Sequence, residues 1–157
     1  MGKPVCVVTG PVATRSGYGA HARDIVRALI RLDRFDVKIF NVRWGHTPMN
    51  ALNRDDENDK MIIDRLLDSP QLPKQPEIHI HIVIPNEFQN FGKYNIGITA
   101  GLECTVVPPG WMNGVNTMDL NIVPSTFVRD VFKSCIFDIQ DEKTSEKKGE
   151  LRLEKPF

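Results

Sequence analysis

Short apolar runs recur along this chain, each closed by glycine or proline, with stretches of helical periodicity between them. Val5-Cys6-Val7-Val8-Thr9 stops at Gly10-Pro11, as expected of a strand buried on both faces of a parallel sheet. Val12 to Gly19 is a loop of small residues. Ile25, Val26, Leu29, Ile30 and Leu32 then fall at helical spacing, and the interleaved Arg23, Arg27 and Arg31 read as the solvated face. Asp36 to Val42 alternates as a second strand. Strand, helix and strand in such close succession make a βαβ unit, whose crossover is right-handed almost without exception.

The pattern continues along the chain. Arg43 to Asn53 is loop-like. Asp55 to Leu67 predicts a helix, acidic at its start and apolar at Ile62, Ile63, Leu66 and Leu67, with Ser69-Pro70 as its stop. Ile78 to Ile84 is a third strand, Tyr94 to Thr99 a fourth and Leu120 to Val123 a fifth. Ser125 is placed to cap a helix carrying Phe127, Val128, Val131, Phe132 and Cys135. The expected fold is therefore α/β, a Rossmann-like doubly wound parallel sheet in one domain over residues 1–157. Gln140 to Glu150 is charged and nearly free of apolar residues, which predicts a flexible excursion. Leu151-Arg152-Leu153 resumes a strand-like alternation and suggests that a further domain follows.

Composition narrows the class. With 157 residues, 41% of them apolar, the chain can build one packed domain but hardly two. The 20 basic and 20 acidic side chains cancel, so no large field favours nucleic acid or an anionic membrane. No apolar run reaches the roughly 20 residues of a membrane span, and no signal peptide is evident. Cys6, Cys104 and Cys135 are scattered, as expected of reduced, buried thiols in a cytoplasmic protein.

Three places hold candidate chemistry. Thr14-Arg15-Ser16-Gly17-Tyr18-Gly19 lies between the first strand and first helix, where glycines admit a ligand close to the backbone and free N–H groups face an anion. It matches neither the dinucleotide fingerprint nor the Walker A loop, and a plain tight turn is an equal alternative. His79 and His81 share one face of a strand. A metal would need a third ligand, and none is evident nearby; the other possibility is two buried histidines beneath a covering helix. His81 is the better functional candidate, because ligands bind beyond the C-terminal ends of parallel strands. The tract from Thr99 to Asn116 combines Glu103, Trp111 and Asn113 with turn formers, a mix suited to sugar rings and hydroxyls. Alternatively, Glu103 caps a helix and Trp111 packs over the sheet edge.

Taken in order, these pieces resemble the glycosyltransferase 4/1 group. The resemblance lies in Gly10-Pro11 with Ser16-Gly17-Tyr18-Gly19 and Arg23, and in Asn95-Ile96-Gly97 with Glu103, Pro108 and Trp111-Met112-Asn113. It is strongest in Asn121-Ile122-Val123-Pro124-Ser125-Thr126-Phe127 followed by Val131-Phe132. It spans roughly residues 5 to 135, and order and spacing carry it. The resemblance implies the N-terminal, acceptor-side half of a two-domain GT-B enzyme that transfers a sugar from a nucleotide-sugar donor to a glycan or other hydroxyl acceptor. Ser16, Gly17 and Gly19 would lie by the donor phosphates, and His81, Glu103, Trp111 and Asn113 on the acceptor side. No metal or other cofactor is implied. The donor is held mainly by a C-terminal domain that this chain lacks, so the chain alone is expected to be inactive. Two alternatives stand beside this: a non-catalytic binding or structural module, and half of a DNA-modifying glucosyltransferase. A basic stripe of Arg23, Arg27, Arg31 and Arg34 would favour the last.

Overall fold

The computed structural model describes residues 2–69, 71–101 and 103–157. Pro70, expected to stop the second helix, and Leu102, within the turn-rich tract, lie outside the described residues, as does Met1. Five strands, β1 (Val5–Gly10), β2 (Asp36–Asn41), β3 (Ile78–Ile82), β4 (Tyr94–Ile98) and β5 (Leu120–Ile122), form one parallel sheet. Its order, β2-β1-β3-β4-β5, is consistent with a Rossmann-like fold. Among the described residues four helices accompany it: α1 (Gly17–Leu32), α2 (Glu57–Ile63), α3 (Pro109–Asn116) and α4 (Thr126–Ser134). Among the described residues no helix is long and apolar enough to cross a membrane.

Alternation along the strands sorts side chains into two cores. Cys6, Val8, Ile39, Ile80, Ile82 and Ile98 pack with Ala22 and Val26 of α1 and Ile62 of α2 on one face. Trp111, Met112, Val115, Val128, Val131 and Phe132, from α3 and α4, build a second core with Val83 and Phe88. The strand register places Val7, Thr9, His79, His81, Asn95 and Gly97 together on the face opposite the first core. The middle of that face is therefore polar, and Thr9, His79, His81 and Asn95 are all buried.

The structure departs from the expected elements in five ways. α1 begins at Gly17, so the Gly-Tyr-Gly sequence forms its first turn. α2 ends at Ile63, because the chain there turns to reach the sheet: Leu66 bridges Ile39 beyond β2, with Arg65 O and Leu67 N bonded to the Ile39 backbone. Among the described residues no α-helix covers the histidines. A single 3-10 turn at Pro85–Glu87 and a loop to Lys93 do so instead. α3 is an unexpected helix in a Pro- and Gly-rich tract. Pro109 sits at its first position, where no N–H is required, and a Cβ on Gly114 would fall 1.8 Å from Pro85 O. Finally, the charged stretch 140–150 is ordered as part of an antiparallel hairpin of β6 (Phe137–Gln140) and β7 (Lys147–Leu151). Lys147 pairs with Asp138 and Glu150, Lys148 pairs with Asp141, and Phe137 and Leu151 pack on the second core. Arg152-Leu153 falls outside any strand.

Candidate functional site

The strand order reverses between β1 and β3, and the C-terminal ends of those strands open a crevice at such a point. A cleft of about 420 Å³ lies there, lined by Thr9, His81 and Val83 below and by Asn86, Glu87, Phe88 and Gln89 from the loop above, with Phe40 and Val42 beside them. His81 Nδ1 accepts the backbone N–H of Gln89 at 3.0 Å, so in the neutral ring the proton sits on Nε2. Burial pushes the His81 pKa down to about 4, and the ring is neutral at pH 7. His79 lies deeper. Its Nε2 meets Thr9 Oγ1 at 2.9 Å, Nδ1 has no partner, and Phe91 stacks on the ring at 3.7 Å. Burial, then the neighbouring His81, lowers the His79 pKa to about 3. Among the described residues no group of three or more His, Cys, Asp or Glu could hold a metal ion.

On the α1 side of the same edge, the glycine loop is pinned from several directions. Ser16 caps α1 by accepting Gly19 N at 3.0 Å, and its Oγ also meets Thr14 Oγ1 at 2.8 Å. Arg23 donates to Val12 O and Thr14 O. The loop 43–53 straps over it: Arg15 N donates to Pro48 O, Ala51 N to Ala13 O, and Trp44 stacks on Tyr18 at 4.1 Å. Gly17 is open to solvent, whereas Gly19 packs tightly on Thr14 and Pro11. Beside them a nearly apolar groove of about 390 Å³ runs from Gly17, Tyr18 and His21 to Ile98, Thr99, Ile122, Val123 and Pro124. Tyr18 OH, bonded to Thr99 Oγ1 and Ala100 N, closes its floor.

The residues singled out in the sequence divide accordingly. Gly17 borders the apolar groove and His81 the polar cleft, while Ser16 Oγ and Gly19 are engaged in the fold itself. Glu103 is exposed in the loop after β4 and caps no helix, since Pro108 holds the cap position of α3. Trp111 is only 8% exposed and packs against Phe132 in the second core, so its ring offers little surface to a sugar. Asn113 is exposed on α3. Cys6 and Cys135 are buried thiols, and burial pushes Cys6 up to about 12. Cys104, expected to be buried, is exposed in the loop before α3, with Sγ on Val106 O. The arginines of α1 are not a free solvated stripe. Arg27 binds Asp59 and Asp24, and Arg31 binds Asn58. Sequence reading missed Thr9, Glu87, Gln89 and Trp44. Thr9, as the last polar residue of a buried strand, is the one whose position carried a signal. Compared with known protein families, curated proteins and solved structures, the chain matches none of them.

Proposed function

We propose that this chain is the acceptor-side, Rossmann-like half of a GT-B glycosyltransferase that passes a sugar from a nucleotide-sugar donor to a glycan or other hydroxyl acceptor. The observation that carries this is the polar cleft at the strand-order reversal, where the His81 Nε2–H, Glu87 and the amides of Asn86 and Gln89 supply both donors and acceptors for hydroxyl groups. Further support comes from the N-terminus of α1 on the same sheet edge, whose free backbone N–H groups suit a diphosphate. Glycosyl transfer is accelerated mainly by positioning and by stabilising the departing diphosphate. In this reading a separate donor-binding domain supplies most of the second, and the present chain orients the acceptor. Of the α1 arginines, Arg27 is charge-paired with Asp59 and Asp24, which weakens the basic stripe a DNA acceptor calls for.

The test is a titration of isotopically labelled chain with a panel of nucleotide sugars and simple saccharides at millimolar concentration. Saccharides are expected to shift the amides of Thr9, Glu87 and Gln89 without turnover of donor, and His81→Ala to weaken those shifts at least tenfold. If no saccharide moves these amides, the acceptor reading fails. A non-catalytic binding module then takes its place, which the apolar groove of Ile98, Ile122, Val123 and Pro124 favours.

A further inference from the structure

We propose that Glu87–Phe91 is an acid-labile roof: protonation of His81 and His79 releases it, and the two cavities on this face of the sheet become one groove. The roof hangs between two fixed points. At one end Gly114 of α3 abuts Pro85 O so closely that no side chain fits between them. At the other, Gly92 exchanges two hydrogen bonds with the Asn95 side chain, at 2.9 and 3.0 Å. Between these points the roof is held by three contacts to the sheet. Gln89 N donates to His81 Nδ1, Phe91 stacks on His79, and Phe88 sits over Gly97 and tilts against His81. Glu87 N and Phe88 N close the 3-10 turn on Ile84 O and Pro85 O, and the bond from Asn90 Nδ2 to Thr117 O is exposed and long at 3.3 Å.

Of the three sheet contacts, the bond from Gln89 N depends on a neutral imidazole. A proton on His81 Nδ1 turns the acceptor of Gln89 N into a second donor, and the two rings lie 5.3 Å apart, so charging both adds repulsion. No carboxylate is bonded to either ring among the described residues. On the flanking strands, Glu77 at the start of β3 is held by Val5 N, Lys74 and Lys93, Asp119 accepts from Asn95, and Lys38 of β2 pairs with Asp36. From the roof itself Glu87 borders the cleft. Thr9, Val7, Asn95 and Gly97 complete the face with no charge. The protonated pair is thus best served by water, which it reaches when the roof lifts.

Lifting also changes the cavities. The cleft at His81 and a second cavity of about 270 Å³, lined by Val7, Leu67, Leu72 and Phe91, share two walls, Phe40 and Gln89. Moving Gln89 and Phe91 removes the partition and exposes His79 at the centre of a continuous groove.

Amide hydrogen exchange on the unmodified chain between pH 7.5 and 5, corrected for intrinsic rates, tests this without any substitution. Protection of Gln89 and its roof neighbours is expected to fall below pH 6.5 by tenfold to a hundredfold per pH unit, the signature of one to two protons taken up on opening. The amides of α1, β1 and β3, which open only with the whole fold, stay better protected than the roof at every pH. His81→Gln, with its fold checked by circular dichroism, should lower that slope by one proton. Constant roof protection down to pH 5 would overturn the proposal. So would roof protection equal to that of α1 and the sheet at every pH, which marks global unfolding, or an unchanged slope in His81→Gln.

Discussion

Gly17 and Gly19 look alike in the sequence, and the structure gives them opposite roles. A Cβ on Gly19 would lie 2.4 Å from Thr14 O, which Arg23 holds, and 2.8 Å from Pro11 O, which Thr14 N and Oγ1 hold. Gly19→Ala must displace the whole loop and should cost about 2–4 kcal/mol, the range of forced overpacking. A Cβ on Gly17 meets nothing within 4 Å, and its φ is not positive. As the first residue of α1, Gly17→Ala should be neutral or stabilising by up to about 1 kcal/mol. Urea unfolding midpoints of the two variants separate these outcomes. Should Gly17→Ala destabilise by as much as Gly19→Ala, the packing assigned to this loop is wrong. If the loop also approaches a ligand, Gly17→Ala weakens nucleotide-sugar binding while leaving stability intact.

Between elements, the α1–α2 contact turns on one ion pair. Arg27 Nη2 meets Asp59 Oδ1 at 2.6 Å, with both side chains largely buried, and Asp59 Oδ2 takes the N–H of Asn53. Asp59→Ala leaves the Arg27 guanidinium with the long contact to the exposed Asp24 at 3.4 Å, its Nε already lacking a partner. The expected cost is about 3 kcal/mol. A paired Arg27→Met, Asp59→Leu variant should recover most of it, since apolar packing avoids the desolvation of two ions. A double variant no better than Asp59→Ala would show that the pair contributes beyond charge balance. Such clasps set the limit of what the sequence discloses. All five strands and the helices after Gly10-Pro11 and Ser125 were legible, because apolar runs with Gly or Pro stops follow directly from burial. α3 was not, because Pro109, Gly110 and Gly114 signal turns, and only the contact with Pro85 explains a glycine inside that helix. The hairpin was hidden for a related reason. Lys147 meets Asp138 across the two strands, and nothing in linear order announces that pairing. At the candidate site, His81 could be found by its position at a strand end. Glu87 and Gln89 could not, since their role depends on a loop folding back over the sheet.

For the whole molecule, the two buried histidines make acid the most informative perturbation. Both are held neutral, near 4 for His81 and 3 for His79, against an ordinary value of about 6.5. A histidine depressed in the folded state binds its proton more readily when unfolded. Its contribution is therefore complete above pH 6.5 and is lost as the pH falls through 6 toward 4. Each ring lowers stability by about 1.4 kcal/mol per pH unit in that window, so two rings remove about 4 kcal/mol between pH 6 and 4.5. That is a large share of the roughly 5–15 kcal/mol that holds a domain together. Carboxylates stay out of this window. Glu77, held near 2 first by Val5 N, and Asp56, lowered by the amides it caps, lose their contribution only at lower pH. Unfolding free energies from urea titrations at half-unit steps should thus fall with a slope that approaches two protons at about pH 5.5. His79→Phe should lower that slope by one proton and keep the stack with Phe91. Curvature decides between the two ways of admitting the protons. A chain whose roof stays shut until it unfolds keeps the two-proton slope to pH 4.5. A chain whose roof lifts first hydrates its histidines while the five strands remain paired, and its slope flattens before then. A flat profile from pH 7 to 4.5 would contradict the burial of both rings.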